Sequence, residues 1–114
     1  MLTVKTLKEN KKNGPLKEYS KSGVVVVESS YKNDELDGYY KEFYVNGSLL
    51  SESYNIEGEA DGVFKEYHLN GKIKTQGGFS LGSKIGKWKT FYYNGSLKSE
   101  YEFNKKGELV GWNI

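Results

Sequence analysis

Gly38-Tyr-Tyr-Lys-Glu-Phe-Tyr-Val-Asn-Gly47, Gly62-Val-Phe-Lys-Glu-Tyr-His-Leu-Asn-Gly71 and Gly86-Lys-Trp-Lys-Thr-Phe-Tyr-Tyr-Asn-Gly95 align residue for residue. Gly14-Pro-Leu-Lys-Glu-Tyr-Ser-Lys-Ser-Gly23 is a looser copy ahead of them. The leading glycines Gly14, Gly38, Gly62 and Gly86 stand 24 residues apart, and Gly111 follows after one extra residue. A fixed period of this size marks an array of supersecondary units. An aromatic-rich run ending in Asn-Gly reads as the first strand of a hairpin, closed by a type I′ turn with positive φ at both corner residues. Ser22-Gly23 is a weaker form of that corner. A second alternating run follows each one: Ser48–Tyr54, Lys72–Phe79 and Ser96–Phe103. Polar return turns at Asn10, Asp34, Gly58, Gly82 and Gly107 lead into the next copy.

A two-residue corner fixes the register. It sets Val45 opposite Ser48, Tyr44 opposite Leu49, and Lys41 opposite Glu52. The same arithmetic pairs Lys17 with Glu28, Lys65 with Gln76, Lys89 with Glu100, Phe64 with Gly77, and Trp88 with Tyr101. The recurrence of Lys opposite Glu or Gln supports it, since such pairs contribute about 0.2–1 kcal/mol each. One face then collects Leu16, Tyr40, Phe64 and Trp88, with Tyr44, His68 and Tyr92, with Val25, Leu49, Ile73 and Leu97, and with Tyr31, Phe79 and Phe103. The lysines and glutamates fall on the other face, beside a lone row of Tyr19, Phe43, Tyr67 and Phe91. Tyr54 comes one place early relative to Tyr31 and Phe79, which predicts a bulge or a shortened strand there. The expected fold is all-β: antiparallel hairpin repeats of 24 residues in one elongated, twisted meander sheet of nine or ten strands, about 40–45 Å long. Residues 1–114 read as a single domain with units near 14–37, 38–61, 62–85 and 86–110, and partial units at 1–13 and 111–114.

Composition narrows the chemistry. The 114 residues include 14 Gly, 10 Tyr, 5 Phe and 2 Trp but 1 Pro and no Cys. That is a strand-and-turn composition, and it removes disulfides, thiolate metal sites and thiol nucleophiles. The net charge of +2 comes from 17 basic and 15 acidic residues, and every basic one is lysine. Without arginine the bidentate fork that dominates base and phosphate readout is missing, which argues against a nucleic-acid partner. The longest apolar run is Val24–Val27, far below a membrane span, and no secretory h-region follows Met1. The cytoplasm is the expected location.

The pattern Gly-x-(Trp/Phe/Tyr)-Lys-(Glu/Thr)-(Phe/Tyr)-x-x-Asn-Gly-x-(Leu/Ile) resembles the MORN repeat, in particular its bacterial variant, over residues 14–111. Gly86 to Leu97 is the nearest match, and the Pro15-Leu16 and Ser22-Gly23 of the first unit depart from it. The resemblance implies an elongated array of antiparallel hairpins that binds or scaffolds other proteins, in some members phospholipid. For short bacterial chains of this type it implies an antitoxin or immunity protein that neutralises a cognate toxin by steric binding. A peripheral-membrane or scaffold module, or an accessory domain of a larger protein, is the alternative.

No residue constellation outlines an enzyme, a cofactor site, a metal site or a small-molecule pocket. His68 fills the slot of Tyr44 and Tyr92, and Ser51, Thr75 and Ser99 recur on a strand without a base. Asn46-Gly47-Ser48 and Asn94-Gly95-Ser96 match the glycosylation sequon but are already explained as corners. Two features point outward to a protein partner. Asp34, Glu35 and Asp37 lie one unit before Glu57, Glu59 and Asp61, so six carboxylates share one border and suit a basic toxin domain. Tyr19, Phe43, Tyr67 and Phe91 are the candidate aromatic contact row.

Overall fold

The computed structural model describes residues 2–8 and 11–113, with side chains for the latter range. Its strands are β1 (Leu2–Lys8), β2 (Lys11–Tyr19), β3 (Val25–Lys32), β4 (Glu35–Phe43), β5 (Leu49–Ile56), β6 (Glu59–Ala60), β7 (Gly62–Tyr67), β8 (Ile73–Ser80), β9 (Ser83–Phe91), β10 (Leu97–Phe103) and β11 (Leu109–Asn113). All pair antiparallel in sequence order as one open meander, with the two-residue β6 pairing β5 just ahead of β7. The fold class matches the expectation. The extents are 47 × 33 × 13 Å and the radius of gyration is 16.0 Å, against about 13 Å for a compact globule of this length. The sheet is one layer thick. Among the described residues only Leu16 (5% exposed) and Trp88 (7%) are buried apolar side chains.

One row of cross-strand partners holds the register across the whole width. Lys17, Glu28, Lys41, Glu52, Lys65, Gln76, Lys89 and Glu100 follow one another on successive strands. Nζ–Oε distances of 3.8 Å join Lys17 to Glu28 and Lys89 to Glu100. Alternating sign across a ladder favours this alignment over a slip by one strand position, which would oppose like charges.

The two long borders of the sheet use different turns, and both differ from the sequence reading. At the Asn-Gly border the loop has three residues. Gly47 N donates to Tyr44 O and Tyr44 N donates to Ser48 O, both at 2.8 Å, and only Gly47 has positive φ. This is a type I turn followed by a left-handed glycine, with a bulge beside it that sets Phe43 opposite Leu49. The expected pairing of Tyr44 with Leu49 and the type I′ corner are therefore corrected. Asn46 Oδ1 explains the preference, because it accepts from Ser48 N at 2.9 Å and Ser48 Oγ at 2.7 Å. Asn94 repeats both bonds with Ser96. The shift also pairs Tyr19 with Val25, Tyr67 with Ile73 and Phe91 with Leu97, so the row expected to stand alone has aliphatic partners.

The two-residue turns lie on the return border. Asn33-Asp34, Glu57-Gly58 and Leu81-Gly82 all have positive φ at both positions, as a type I′ turn requires. The ladders leading away from this border into β2, β4, β7 and β9 carry two extra residues around the leading glycine, and the one into β11 carries one. Tyr31 pairs with Leu36 but Ser29 with Tyr40, leaving Asp37, Gly38 and Tyr39 opposite Ser30 alone. Gly38 and Gly62 take φ of 107° and 103° there, a backbone region open to glycine. Beside Tyr54 the irregularity expected from the sequence is present: Ser53 and Tyr54 stand opposite Asp61 to Phe64, and the facing strand is split into β6 and a six-residue β7. β5 is as long as β3 and β8, and Tyr54 turns outward, 45% exposed. The return at 104–108 switches to the three-residue form, with Gly107 N bonded to Asn104 O and Asn104 N to Glu108 O. That switch absorbs the extra residue before Gly111. The return turn expected at Asn10, and Ile114 at the far end, lie outside the described residues.

Candidate functional site

Repeats are tied to one another along both borders. On the return border Asp37 Oδ1 accepts from Glu57 N at 3.3 Å, Asp61 Oδ1 from Leu81 N at 3.0 Å, and Asn13 Oδ1 from Asn33 N at 3.0 Å. Asp34 Oδ1 accepts from Lys12 N. Bonds from Gly58 N to Leu36 O and from Gly82 N to Ala60 O run beside them. Three of the six carboxylates singled out on this border thus hold turns together. Glu35, Glu57 and Glu59 are exposed at the rim. Glu35, Asp37 and Glu57 do converge, with Lys32, on a shallow cleft of about 350 Å³. No three acidic or His groups among the described residues are arranged to hold a metal ion. The missed structural role had a sequence signal: Asn or Asp precedes the leading glycine at Asn13, Asp37 and Asp61, and Ile85 breaks the series.

The Asn-Gly border has its own ties, each reaching one repeat ahead. Tyr44 Oη donates to Tyr67 O at 2.7 Å, His68 Nε2 lies 2.9 Å from Phe91 O, and Asn70 Nδ2 donates to Tyr93 O at 2.8 Å. A carbonyl oxygen only accepts, so His68 carries its proton on Nε2. Tyr92, last of the series, is 52% exposed. In the first unit Ser20 turns inward to its own corner, with Oγ 2.9 Å from Ser22 Oγ.

The two faces differ more than their patterning suggested. The face with the Lys–Glu ladder also carries the half-buried row of Tyr19, Phe43, Tyr67 and Phe91. Tyr67 Oη donates to Glu52 Oε1 at 3.1 Å. Burial first, then that bond and the Glu52 charge, raise the Tyr67 phenol above its ordinary value.

On the opposite face Phe64 and Trp88 stack at 5.5 Å, and Phe79 meets both edge-on at 5.9 and 4.9 Å. The indole Nε1 donates to Gly78 O at 3.1 Å. Trp88 lies flat on the backbone of Gly77, where a Cβ would sit 2.1 Å from the ring. Tyr101 and Phe103 extend the strip into an apolar groove of about 350 Å³, with Glu66 and Lys84 also lining it. The Lys84 Nζ sits 4.7 Å over the Trp88 ring.

The same face carries glutamates, which the sequence reading had placed on the other. Glu18, Val27, Glu42, Ser51, Glu66, Thr75, Thr90 and Ser99 are successive cross-strand partners one residue along from the Lys–Glu ladder. Strand neighbours point to opposite sides, so each Lys-Glu dipeptide sends its lysine to one face and its glutamate to the other. Tyr40 registers this: burial first, then the charges of Glu42 and Glu18, push its phenol up. Ser51 and Ser99 are buried in this row, and Ser99 bonds the Thr90 hydroxyl. These hydroxyls are packed ladder groups.

A one-layer array of antiparallel hairpins with an aromatic groove on one face defines an all-β repeat protein. The MORN repeat variant model matches residues 12–33, 36–54, 60–80 and 84–105, and the chain belongs to that family. Its repeats are in general non-catalytic and serve as protein- or membrane-binding modules. Comparison with curated proteins gives no significant match. No helix among the described residues is long and apolar enough to cross a membrane.

Proposed function

We propose that the protein is a non-catalytic binding module that acts by steric cover, and that its target is the toxin of a toxin–antitoxin pair. The uncovered aromatic groove around Trp88 carries the binding reading. Sheets normally bury an apolar face against a second layer, and among the described residues no second layer lies over the part-exposed Phe64, Phe79, Tyr101 and Phe103. Tyr and Trp also make efficient anchors, burying large area at low entropic loss. The toxin assignment rests on the family resemblance, and the carboxylates of the return border suit a basic target. The row of Tyr19, Phe43, Tyr67 and Phe91 is the lesser contact strip on the other face.

The test is growth rescue when this chain is co-expressed with the product of the adjacent reading frame. Rescue that fails with Tyr101→Ala and Phe103→Ala in a folded protein is the expected result, and no rescue by the native chain overturns the reading. Glu35→Lys, Glu57→Lys and Glu59→Lys together leave the turn-holding aspartates in place. Their combination is expected to slow association about tenfold at low salt, an effect that fades at moderate salt. An on-rate unchanged at both salt levels removes the border from the mechanism. Exposed Lys11, Lys17, Lys21 and Lys32 favour the membrane alternative, which sedimentation with anionic vesicles at physiological salt decides.

A further inference from the structure

Two parallel stripes run across the strands of the grooved face. The central one places Leu16, Tyr40, Phe64 and Trp88 on alternate strands, and the second places Glu18, Glu42, Glu66 and Thr90 on the same strands two residues further on. Adjacent strands are about 4.8 Å apart, so like residues recur about every 9.6 Å, and the stripes lie about 6.8 Å from each other. Neither Glu42 nor Glu66 has a hydrogen bond or ion pair among the described residues. Both are half-buried. The lysines that offset their charge sit on the opposite face, as Lys41 and Lys65 in the alternating ladder. Half-burying an unpaired carboxylate is unfavourable unless a cation meets it, and the part-exposed Tyr40 and Phe64 of the neighbouring stripe ask for apolar cover.

From these two stripes we propose that the grooved face takes a basic amphipathic α-helix of a partner protein, laid across the strands. Its apolar side chains cover the part-exposed Tyr40 and Phe64, and its Lys or Arg side chains, seven residues apart, meet Glu42 and Glu66. Seven residues of helix rise about 10.5 Å, close to the interval between the glutamates. Same-side residues of an extended strand recur every 6.8 Å or so and do not match it. This rests on the binding-module reading and names the chemistry of its partner.

The probe is a synthetic amphipathic helix with Leu on one stripe and Lys at every seventh position beside it. A twin carries Glu in place of those Lys. Calorimetric titration of the full chain at low salt is expected to show binding of the Lys peptide at least about tenfold tighter than the Glu peptide. Glu42→Lys with Glu66→Lys is expected to reverse that preference while leaving the circular dichroism and Tm in place. Equal binding of the two peptides, binding of neither, or a preference untouched by the double substitution overturns the proposal. So does a stable dimer in sedimentation that buries this face. Growth rescue that persists alongside a null peptide result leaves the module reading standing and removes only the helix.

Discussion

From Gly62 to Phe103 the central stripe of the grooved face runs Phe64, Gly77, Trp88, Tyr101, while from Gly14 to Asn55 the same slots hold Leu16, Ser29, Tyr40 and Ser53. The backbone repeats and the turns repeat, but the packing does not. A bare backbone at Gly77 lets the indole lie down between two phenyl rings, which gives the second half an aromatic cluster. Serines at the equivalent slots fill that space with hydroxyls, and Ser29 Oγ is buried, 1% exposed, without a hydrogen-bond partner among the described residues. A repeat fold can therefore concentrate its aromatic packing in one half and fill the same slots with serines in the other, because each unit leans only on its neighbours.

The largest test of that contrast is Trp88→Ala against Tyr40→Ala. Loss of the buried indole is expected to destabilise by about 3–5 kcal/mol, and loss of the half-buried phenol by clearly less, both read from urea midpoints. Equal effects would erase the distinction between the halves. Gly77→Ala comes next. Its methyl must displace the ring, at about 1–3 kcal/mol, whereas Ser53→Ala in the matching slot is expected within about 0.5 kcal/mol of the native chain. The smallest effect is alkaline. Tyr40 has a raised phenol in the folded state, so its contribution is whole below pH 10 or so and is lost as pH climbs through the folded value. Tyr40→Phe should flatten the fall of Tm as pH rises above about 10, and tyrosinate absorbance at high pH checks the same group.

Most of the ladder was legible in the sequence because charge writes the register. Lys41 faces Glu52 and Lys65 faces Gln76 as the spacing required. The corners were less legible, because Asn-Gly serves both a two-residue and a three-residue loop. The longer one is braced by a hydrogen bond from Ser48 N to the Asn46 side chain, a contact that spacing does not display. The type I′ turns instead fell on Glu57-Gly58 and Leu81-Gly82, where local preference for positive φ at Glu or Leu is poor and bonds to Asp37 and Asp61 outweigh it. The glutamate stripe was readable from the Lys-Glu dipeptide by simple alternation. The groove was not, since it depends on where one indole settles relative to one glycine.

The ties along the Asn-Gly border all point forward, from Tyr44 to Tyr67, from His68 to Phe91 and from Asn70 to Tyr93. That gives the array a polarity: the second and third cassettes are each fastened by their successor. Fraying should begin where Tyr92 and Tyr93 stand bare, and a duplicated 24-residue cassette spliced in at Gly86 would find its docking bonds ready and lengthen the ribbon by about 10 Å.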